Sequence, residues 1–381
     1  MPIDLCEVTT LKQLRAFIRF PRTLYRDNPY WVPALFMDEY NTLRDDKNPA
    51  FEHCCARYWQ AYRQGRAVGR VAAILNRQHC EKWGQPYLRF GWLDFVDDLD
   101  VASALLATVE NYARENGLTA VHGPLGFTDL DREGMLVEGF NEMGTLSTLY
   151  NYPYYPRHLE ALGYIKDIDW VEYQIIVPSE PNPTIARIAQ VALRRNCLHL
   201  LQARHKRELL PYTKEIFHLL DDAYQHLYGV VPLTPRQVEV YIDQYFGFIT
   251  PDFVPIVLDE NGHMVAFGIA MPSLSRALQR SGGELFPLGF VHLMHALKFN
   301  DRGDLYLVAV RQEYQGKGVN AILIDQMNRN FIKLGIRRVE SNPELETNQL
   351  VRSQWKYFET HQHKRRRCYI KHLEGAATTS S

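Results

Sequence analysis

The turn Gln315-Gly316-Lys317-Gly318 carries the strongest chemical signal in the sequence. An apolar strand is predicted before it, over residues 304–310, and an amphipathic helix after it, over residues 320–334. Glycines let backbone N–H groups converge on an anion without a Cβ clash, and a helix N-terminus adds partial positive charge. Lys317 adds a full charge. The turn is therefore predicted to bind a phosphate group.

The turn has neither the G-x-G-x-x-G pattern nor the Walker pattern, which disfavours dinucleotides and nucleoside triphosphates as ligands. It resembles motif A of the GNAT acyltransferases, Gln/Arg-x-x-Gly-x-Gly/Ala. The residues in register are Gln315, Gly316, Lys317, Gly318, Val319 and Asn320. Asn320 stands where the family usually has Gly or Ala, and its side chain can be accommodated if it points to solvent.

This resemblance implies a co-substrate, acetyl-CoA or a longer acyl-CoA, and no metal. The turn amides would hold the pyrophosphate of coenzyme A. The strand backbone near Val308 and Val310 would bind the pantetheine arm. A second segment, residues 346–358, resembles the family helix in which an Asn contacts that arm, and here this residue is Asn348.

The catalytic groups are less clear from the pattern. Many family members carry a Tyr seven residues after the Asn, as general acid for the leaving thiolate, but this sequence has Trp355. Tyr357 takes that role only if the helix register shifts, because it lies on a different helix face. Attack by an amine also requires a base. Glu340 is the best placed carboxylate, because GNAT folds splay the two central strands there, and the alternative is a solvated charge at a strand end.

The order of elements predicts two copies of one α/β (α+β) fold. Each half reads hairpin, strand, helix, strand, helix, strand, and we expect a mixed central sheet flanked by helices in each of two tandem GNAT-like domains. Pro178-Ser-Glu-Pro-Asn-Pro183 is the best linker signal, since three prolines interrupt regular hydrogen bonding. The predicted division is a degenerate N-terminal GNAT-like domain over residues 1–180, a linker over 181–197, an acyl-CoA-binding GNAT domain over 198–374, and a disordered tail over 375–381.

Composition limits the protein class and its partners. The chain has 381 residues, 43 Lys+Arg against 44 Asp+Glu, and a net charge of −1, so no global field attracts nucleic acid or an anionic membrane. The six cysteines have no zinc-ligand spacing, and the N-terminus has no apolar signal region. A cytoplasmic protein without a transmembrane segment is expected. DNA is not an expected partner, tRNA is disfavoured, and peripheral membrane contact stays open.

Two further segments have alternative interpretations. The apolar insertion over residues 281–299 is interpreted first as a helix that packs the two domains together, and the alternative is a surface that receives a long acyl chain or a lipid amine. The basic run over residues 361–371 either binds a phosphate, RNA or membrane surface or forms a solvated edge strand, which is the favoured interpretation.

The leading functional hypothesis is an acyl-CoA-dependent N-acyltransferase that moves an acyl group to an amine by direct attack. The acceptor could be a hydrophobic or lipid amine. The first alternative is a non-catalytic acyl-CoA-binding or scaffold protein, and the second is a tRNA-dependent aminoacyl transferase. Acyl length, acceptor and oligomeric state are left open by the sequence.

Overall fold

A computed structural model describes residues 2–374 of the chain. The predicted disordered tail, residues 375–381, lies outside the described residues. None of the helices described is both long and apolar enough to cross a membrane.

The strands of the described chain follow in order. They are β1 (Asp4–Glu7), β2 (Cys54–Arg63), β3 (Arg66–Asn76), β4 (Tyr87–Phe95), β5 (Ala120–Gly123), β6 (Met135–Glu138), β7 (Ile165–Ile176), β8 (His199–Leu200), β9 (Ile256–Leu258), β10 (Met264–Pro272), β11 (Arg302–Val310), β12 (Arg338–Glu340), β13 (Glu344–Leu345) and β14 (Thr360–His372).

The helices are distributed between these strands. They are α1 (Leu11–Leu24), α2 (Phe36–Thr42), α3 (Arg77–Trp83), α4 (Leu99–Glu115), α5 (Tyr154–Ala161), α6 (Pro183–Arg195), α7 (Thr213–Tyr224), α8 (Pro235–Tyr245), α9 (Ser275–Ser281), α10 (Gly289–Lys298), α11 (Val319–Leu334) and α12 (Gln349–Arg352). Short 3₁₀ segments include Gln312–Tyr314 and Ser353–Tyr357.

The chain divides into two compact units whose bounds differ from the predicted domains. Of the described residues, the first unit contains 2–171, 275–290 and 364–374, and the second contains 172–274 and 291–363. The division therefore passes through β7 and through β14, so each unit is built from more than one stretch of sequence. Prolines and charge runs do not reveal such an exchange of segments.

The first unit has a mixed sheet in the order β1-β2-β3-β4-β5-β14. The predicted hairpin is present as β2 and β3, and its turn residues Gln64 and Gly65 both have positive φ, as a two-residue hairpin turn requires. The spacing of Val101, Leu105 and Val109 in the sequence predicts one face of a helix, and this is confirmed, since all three residues of α4 are fully buried in the core.

The second unit has a mixed sheet in the order β7-β12-β11-β10-β9-β8. β11 runs antiparallel to β10 and parallel to β12. The parallel pairing covers only residues 302–304 of β11 and 338–340 of β12. The rest of β11 therefore continues without β12 beside it. The α/β fold class, a mixed sheet flanked by helices, is confirmed for both units.

The segment predicted as a linker, residues 181–197, contains the whole of helix α6. Pro183 occupies the first helical position, where its missing N–H is not needed. The Asn182 side chain accepts hydrogen bonds from Thr184 N at 2.9 Å and Ile185 N at 3.3 Å. The same proline that indicated a linker thus starts helix α6. Ala189 and Ala192 of this helix pack with α11.

The basic run is not an edge strand, and the prediction of a solvated edge was wrong. It forms β14, which in the first unit pairs with β5 and with β6. The buried carboxylate of Asp169 accepts hydrogen bonds from Arg367 Nε at 2.8 Å and Arg365 Nη1 at 3.3 Å. Internal ion pairs therefore neutralise much of the charge that would otherwise attract RNA or a phosphate group.

Candidate functional site

The turn between β11 and α11 has the geometry of an anion site. Gly316 and Gly318 have φ values of +72° and +82°, a conformation that favours glycine. Gly318 is the N-cap of α11 and supplies no side-chain cap. Within the described residues, the N–H groups of Gly316, Gly318, Val319 and Asn320 donate no backbone hydrogen bond. These donors are therefore available to an anion at the helix N-terminus.

A groove of about 330 Å³ lies between this turn and helix α6. Arg187, Arg195 and Lys317 line it together with Ile188, Val191, Ala192, Gly316 and Gly318. The lining contains three cations and no carboxylate. Arg187 and Arg195 were not predicted as site residues, because their segment was assigned to a linker. The signal that could have revealed them is the apolar spacing of Ile185, Ala189 and Ala192, which places both arginines on the exposed side of a helix.

The edge of β11 beyond residue 304 presents backbone groups to side chains instead of to another strand. Tyr306 O accepts a hydrogen bond from Asn342 Nδ2 at 3.1 Å, and Val310 O accepts one from Gln315 Nε2 at 3.2 Å. The Tyr224 hydroxyl of α7 donates to Val308 O at 3.1 Å and lies 3.5 Å from Val308 N, from which it accepts. An amide of an extended ligand could replace this hydroxyl, since it offers the same donor and acceptor pair.

Other residues predicted to contact the coenzyme have mixed placements. Val319 is buried in the core, so only its backbone is available to a ligand. Asn320 is exposed. This agrees with the expectation that a residue larger than Gly or Ala is accommodated here if its side chain points to solvent. Asn348 precedes α12, and its side-chain oxygen accepts from Val351 N at 3.3 Å. Asn348 thus caps a short helix, and its role toward pantetheine remains a prediction.

Glu340 lies at the end of β12, in register with Asp304 of β11 and Gln174 of β7. Its Oε1 is 3.5 Å from Nε2 of His363, a side chain that is almost completely buried. The Glu340 carboxylate is therefore partly shielded from water and lies beside an imidazole. It is not a freely solvated charge at a strand end. The pairing with His363 was not visible in the sequence, because that residue is on the distant β14.

Trp355 occupies the position where the motif led us to look for a Tyr. Its Nε1 donates to Glu344 Oε1 at 2.8 Å, and Glu344 Oε2 is buried without a hydrogen bond in the described residues. Burial raises the pKa of the Glu344 carboxyl to about 7, although the Trp355 hydrogen bond and the nearby Arg352 oppose the shift. Glu344 is therefore a carboxyl group that can hold a proton near neutral pH, and it was not predicted from the sequence.

Tyr357 makes no hydrogen bond to Trp355 or Glu344 within the described residues. It is exposed, Lys356 lies over its ring at 5.0 Å, and its backbone oxygen accepts from Asn182 Nδ2 at 3.1 Å. Its hydroxyl has no hydrogen bond within residues 2–374. Trp355 and Tyr357 belong to a 3₁₀ segment rather than to a long α-helix, so the helical register used to compare them does not apply.

The first unit contains a cluster that the sequence did not indicate. A ring nitrogen of His122, a carboxylate oxygen of Asp167 and the sulfur of Cys368 lie within 4.8 Å of one another. These are atoms of the kinds that can coordinate a metal ion. Burial lowers the pKa of His122, and the Asp167 carboxylate opposes that shift. These residues are far apart in the sequence, on β5, β7 and β14, so no local spacing could have predicted their proximity.

Comparisons with known proteins cover almost the whole chain. No protein-family model matches it. It is 29% identical to Protein YghO of Escherichia coli (strain K12) over 370 residues, 94% of this chain and 93% of that protein. It is 25% identical to the bacterial ceramide synthase of Caulobacter vibrioides (strain NA1000 / CB15N) over 367 residues, 92% of each. A tandem GNAT protein from the clavulanic acid biosynthesis pathway, solved without AcCoA, matches over 100% of both chains with a TM-score of 0.56 and 13% identity.

The groove generates a first prediction. Replacing Arg187 and Arg195 together by alanine should weaken binding of coenzyme A by one to two orders of magnitude, because a hydrogen bond to a charged group contributes about 1.5–3 kcal/mol. Calorimetric titration with coenzyme A and with 3′,5′-ADP, its nucleotide part, measures the change. Arg194→Ala is the matched control, since Arg194 is exposed on the same helix outside the groove lining. Equal affinities for the double variant and the control would contradict a phosphate site here.

The β11 edge generates a second prediction. Tyr224→Phe removes the hydroxyl that is hydrogen-bonded to the Val308 backbone. Coenzyme A should then bind about fivefold more tightly, because it no longer competes with a hydrogen bond of about 1 kcal/mol. Affinity for 3′,5′-ADP should not change, because that fragment lacks the pantetheine arm. Tyr212→Phe, just before α7, serves as the control. A tightening that is identical for both ligands would show that Tyr224 does not act through this edge.

Proposed function

From the premise that this chain has the tandem GNAT fold, we propose that it is an acyl-CoA-dependent N-acyltransferase. The observation that carries the proposal is the turn between β11 and α11, with its free N–H groups and its basic groove. A pyrophosphate needs converging donors and positive charge, and this turn offers both. The full-length similarity to a bacterial ceramide synthase supports an enzyme rather than a scaffold.

The positions of Glu340 and Glu344 support direct attack of an amine on the thioester. In the proposed reaction, a neutral amine attacks the thioester carbonyl, a C–N bond forms, and the C–S bond then breaks. Glu340 would accept the proton lost by the amine, with His363 3.5 Å away to receive it or to polarise the carboxylate. The leaving sulfur would take a proton from Glu344, so that the products are an amide and a neutral thiol.

We propose Glu344 in place of Tyr357 as the proton donor. Tyr357 is exposed, whereas Oε2 of the half-buried Glu344 is shielded from water, and burial raises the pKa of this carboxyl to about 7, close to the value that suits a donor at neutral pH. Asn342, two residues before Glu344, already reaches Tyr306 O on the β11 edge. The segment that carries Glu344 therefore borders the edge proposed to bind the pantetheine arm.

A bacterial ceramide synthase among the relatives supports one class of acceptor. Ceramide is an amide of a long-chain amine, and one relative is a bacterial ceramide synthase. We therefore propose an amphiphilic amine as the acceptor. The internal ion pairs of β14 disfavour the tRNA-dependent alternative, since they neutralise the basic run on which that hypothesis rested.

Activity is tested by following thiol release from acetyl-CoA and palmitoyl-CoA with a long-chain amine and with a small hydrophilic amine. The proposal predicts amine-dependent release and an amide product. Calorimetric binding of either thioester without any release would instead support a non-catalytic binder. Failure to bind either thioester, together with salt-sensitive binding of tRNA, would support the aminoacyl-transferase alternative.

Glu344→Gln tests the proton donor. The amide oxygen can still accept from Trp355, but the side chain no longer titrates, so kcat should fall about 10²-fold or more while KM for the thioester changes little. The alkaline limb of the pH–rate profile near pH 7 should disappear. Glu359→Gln, an exposed carboxylate elsewhere in the unit, should leave both quantities unchanged.

The same variant has a stability signature that is independent of activity. Because the folded-state pKa of Glu344 is raised, its contribution to stability is fully present below the unfolded pKa and is lost as the pH rises through about 7. Denaturant unfolding should therefore show Glu344→Gln gaining stability relative to the wild type between about pH 5 and about pH 8. A difference that does not vary with pH would exclude the raised pKa.

A further inference from the structure

The segment from Phe286 to Phe299 exposes an unusual number of large apolar side chains. Its exposed members range from Met294, at 48%, to Phe286, at 83%. The full set is Phe286, Leu288, Phe290, Val291, Met294 and Phe299. Water-exposed apolar side chains are common singly, but a contiguous group of this kind marks an interaction surface.

The helix at the centre of this segment is held in place, so its exposure is not that of a loose end. Leu293 of α10 is only 1% exposed and anchors the helix. After the helix, Asn300 Nδ2 donates to Ser273 O at 2.7 Å. Before the segment, Glu284 is fixed by an ion pair with Arg22 at 2.9 Å. The outward-facing side of α10 is therefore an ordered surface of an anchored helix.

The exposed side of α10 combines apolar and basic groups. Phe290 and Met294 are one turn apart and Val291 lies beside them, so they form one stripe. Lys298 and His295 are exposed on the same side of the helix. Residues 285–300 contain no Asp or Glu. An in-plane helix at a phospholipid surface has this pattern, with apolar side chains among the acyl chains and basic groups near the phosphates.

We propose that α10 and the residues just before it form a membrane-docking surface that seats the protein on a phospholipid bilayer. This inference rests on the proposed function, since a bilayer is where an amphiphilic amine acceptor is held. A second copy of the chain fits the surface less well, because it would bring the same cations and no carboxylate to pair with them. A peripheral enzyme placed in this way would take its acceptor from the membrane without releasing it into water.

The test is co-sedimentation of the full chain with vesicles of phosphatidylethanolamine and phosphatidylglycerol, and with phosphatidylcholine vesicles. The double variant Phe290→Ser/Met294→Ser should reduce the bound fraction at least fivefold on both vesicle types. The control Leu11→Ser/Ile165→Ser removes two similarly exposed apolar side chains elsewhere and should bind like the wild type. Lys298→Ala should weaken binding to the anionic vesicles only, and less at high salt.

Two outcomes would overturn the proposal. One is a wild-type chain that stays in the supernatant with both vesicle types. The other is equal loss of binding in the α10 variant and in its control. Light scattering tests the competing occupant, since a dimer that the α10 variant converts to monomer, without vesicle binding, assigns the surface to a second copy.

Failure of the docking surface is distinguishable from failure of the proposed function. Calorimetric titration with coenzyme A uses the groove on α6 and α11 and does not require α10. Thiol release with a small hydrophilic amine likewise needs no membrane. If the chain binds coenzyme A and transfers an acyl group but does not bind vesicles, only the docking surface is refuted. If it binds vesicles but not coenzyme A, only the acyltransferase proposal is refuted.

Discussion

The short parallel pairing of β11 with β12 is the constraint on which the candidate site depends. The two strands are paired over residues 302–304 and 338–340, and β11 then continues for six residues without β12. Backbone groups left in this way need partners, because a buried N–H or C=O without a hydrogen bond costs free energy. The chain meets this need with side chains from Tyr224, Gln315 and Asn342. Side chains can move aside for a ligand, whereas a paired strand cannot.

Helix α6 completes the opposite side of the same site. A Cβ added to Gly318 would lie 3.2 Å from Ile188 Cγ2 and 3.4 Å from the Ala192 Cβ, so the helix approaches the turn closely enough to disfavour a larger residue. The turn thus requires Gly318 for its positive φ and for this packing. The close approach also sets Arg187 and Arg195 beside the free N–H groups, which means that one packing contact assembles both components of the anion site.

Local patterns in the sequence predicted local structure well. The turn at Gln315–Gly318, the hairpin at Gln64–Gly65 and the buried face of α4 depend on residues that are neighbours in the chain, and each is present. The unit bounds could not be predicted, because residues 275–290 and 364–374 pack with the N-terminal unit, and nothing in their composition indicates this. The pairs Glu340–His363 and Trp355–Glu344 were missed because they depend on tertiary approach rather than on spacing.

The motif resemblance leads one to expect a tyrosine where Trp355 stands, and under the proposed function another group must then supply the proton. An indole N–H donates a hydrogen bond but does not release its proton, so Trp355 cannot act as a general acid. It can, however, orient a carboxyl group, and its bond to Glu344 does so. That bond alone would lower the carboxyl pKa, yet burial outweighs it and leaves a group that is half protonated at about pH 7. The indole orients the Glu344 carboxyl through this bond, so under the proposed function a tyrosine hydroxyl is not needed for the site to contain an acid.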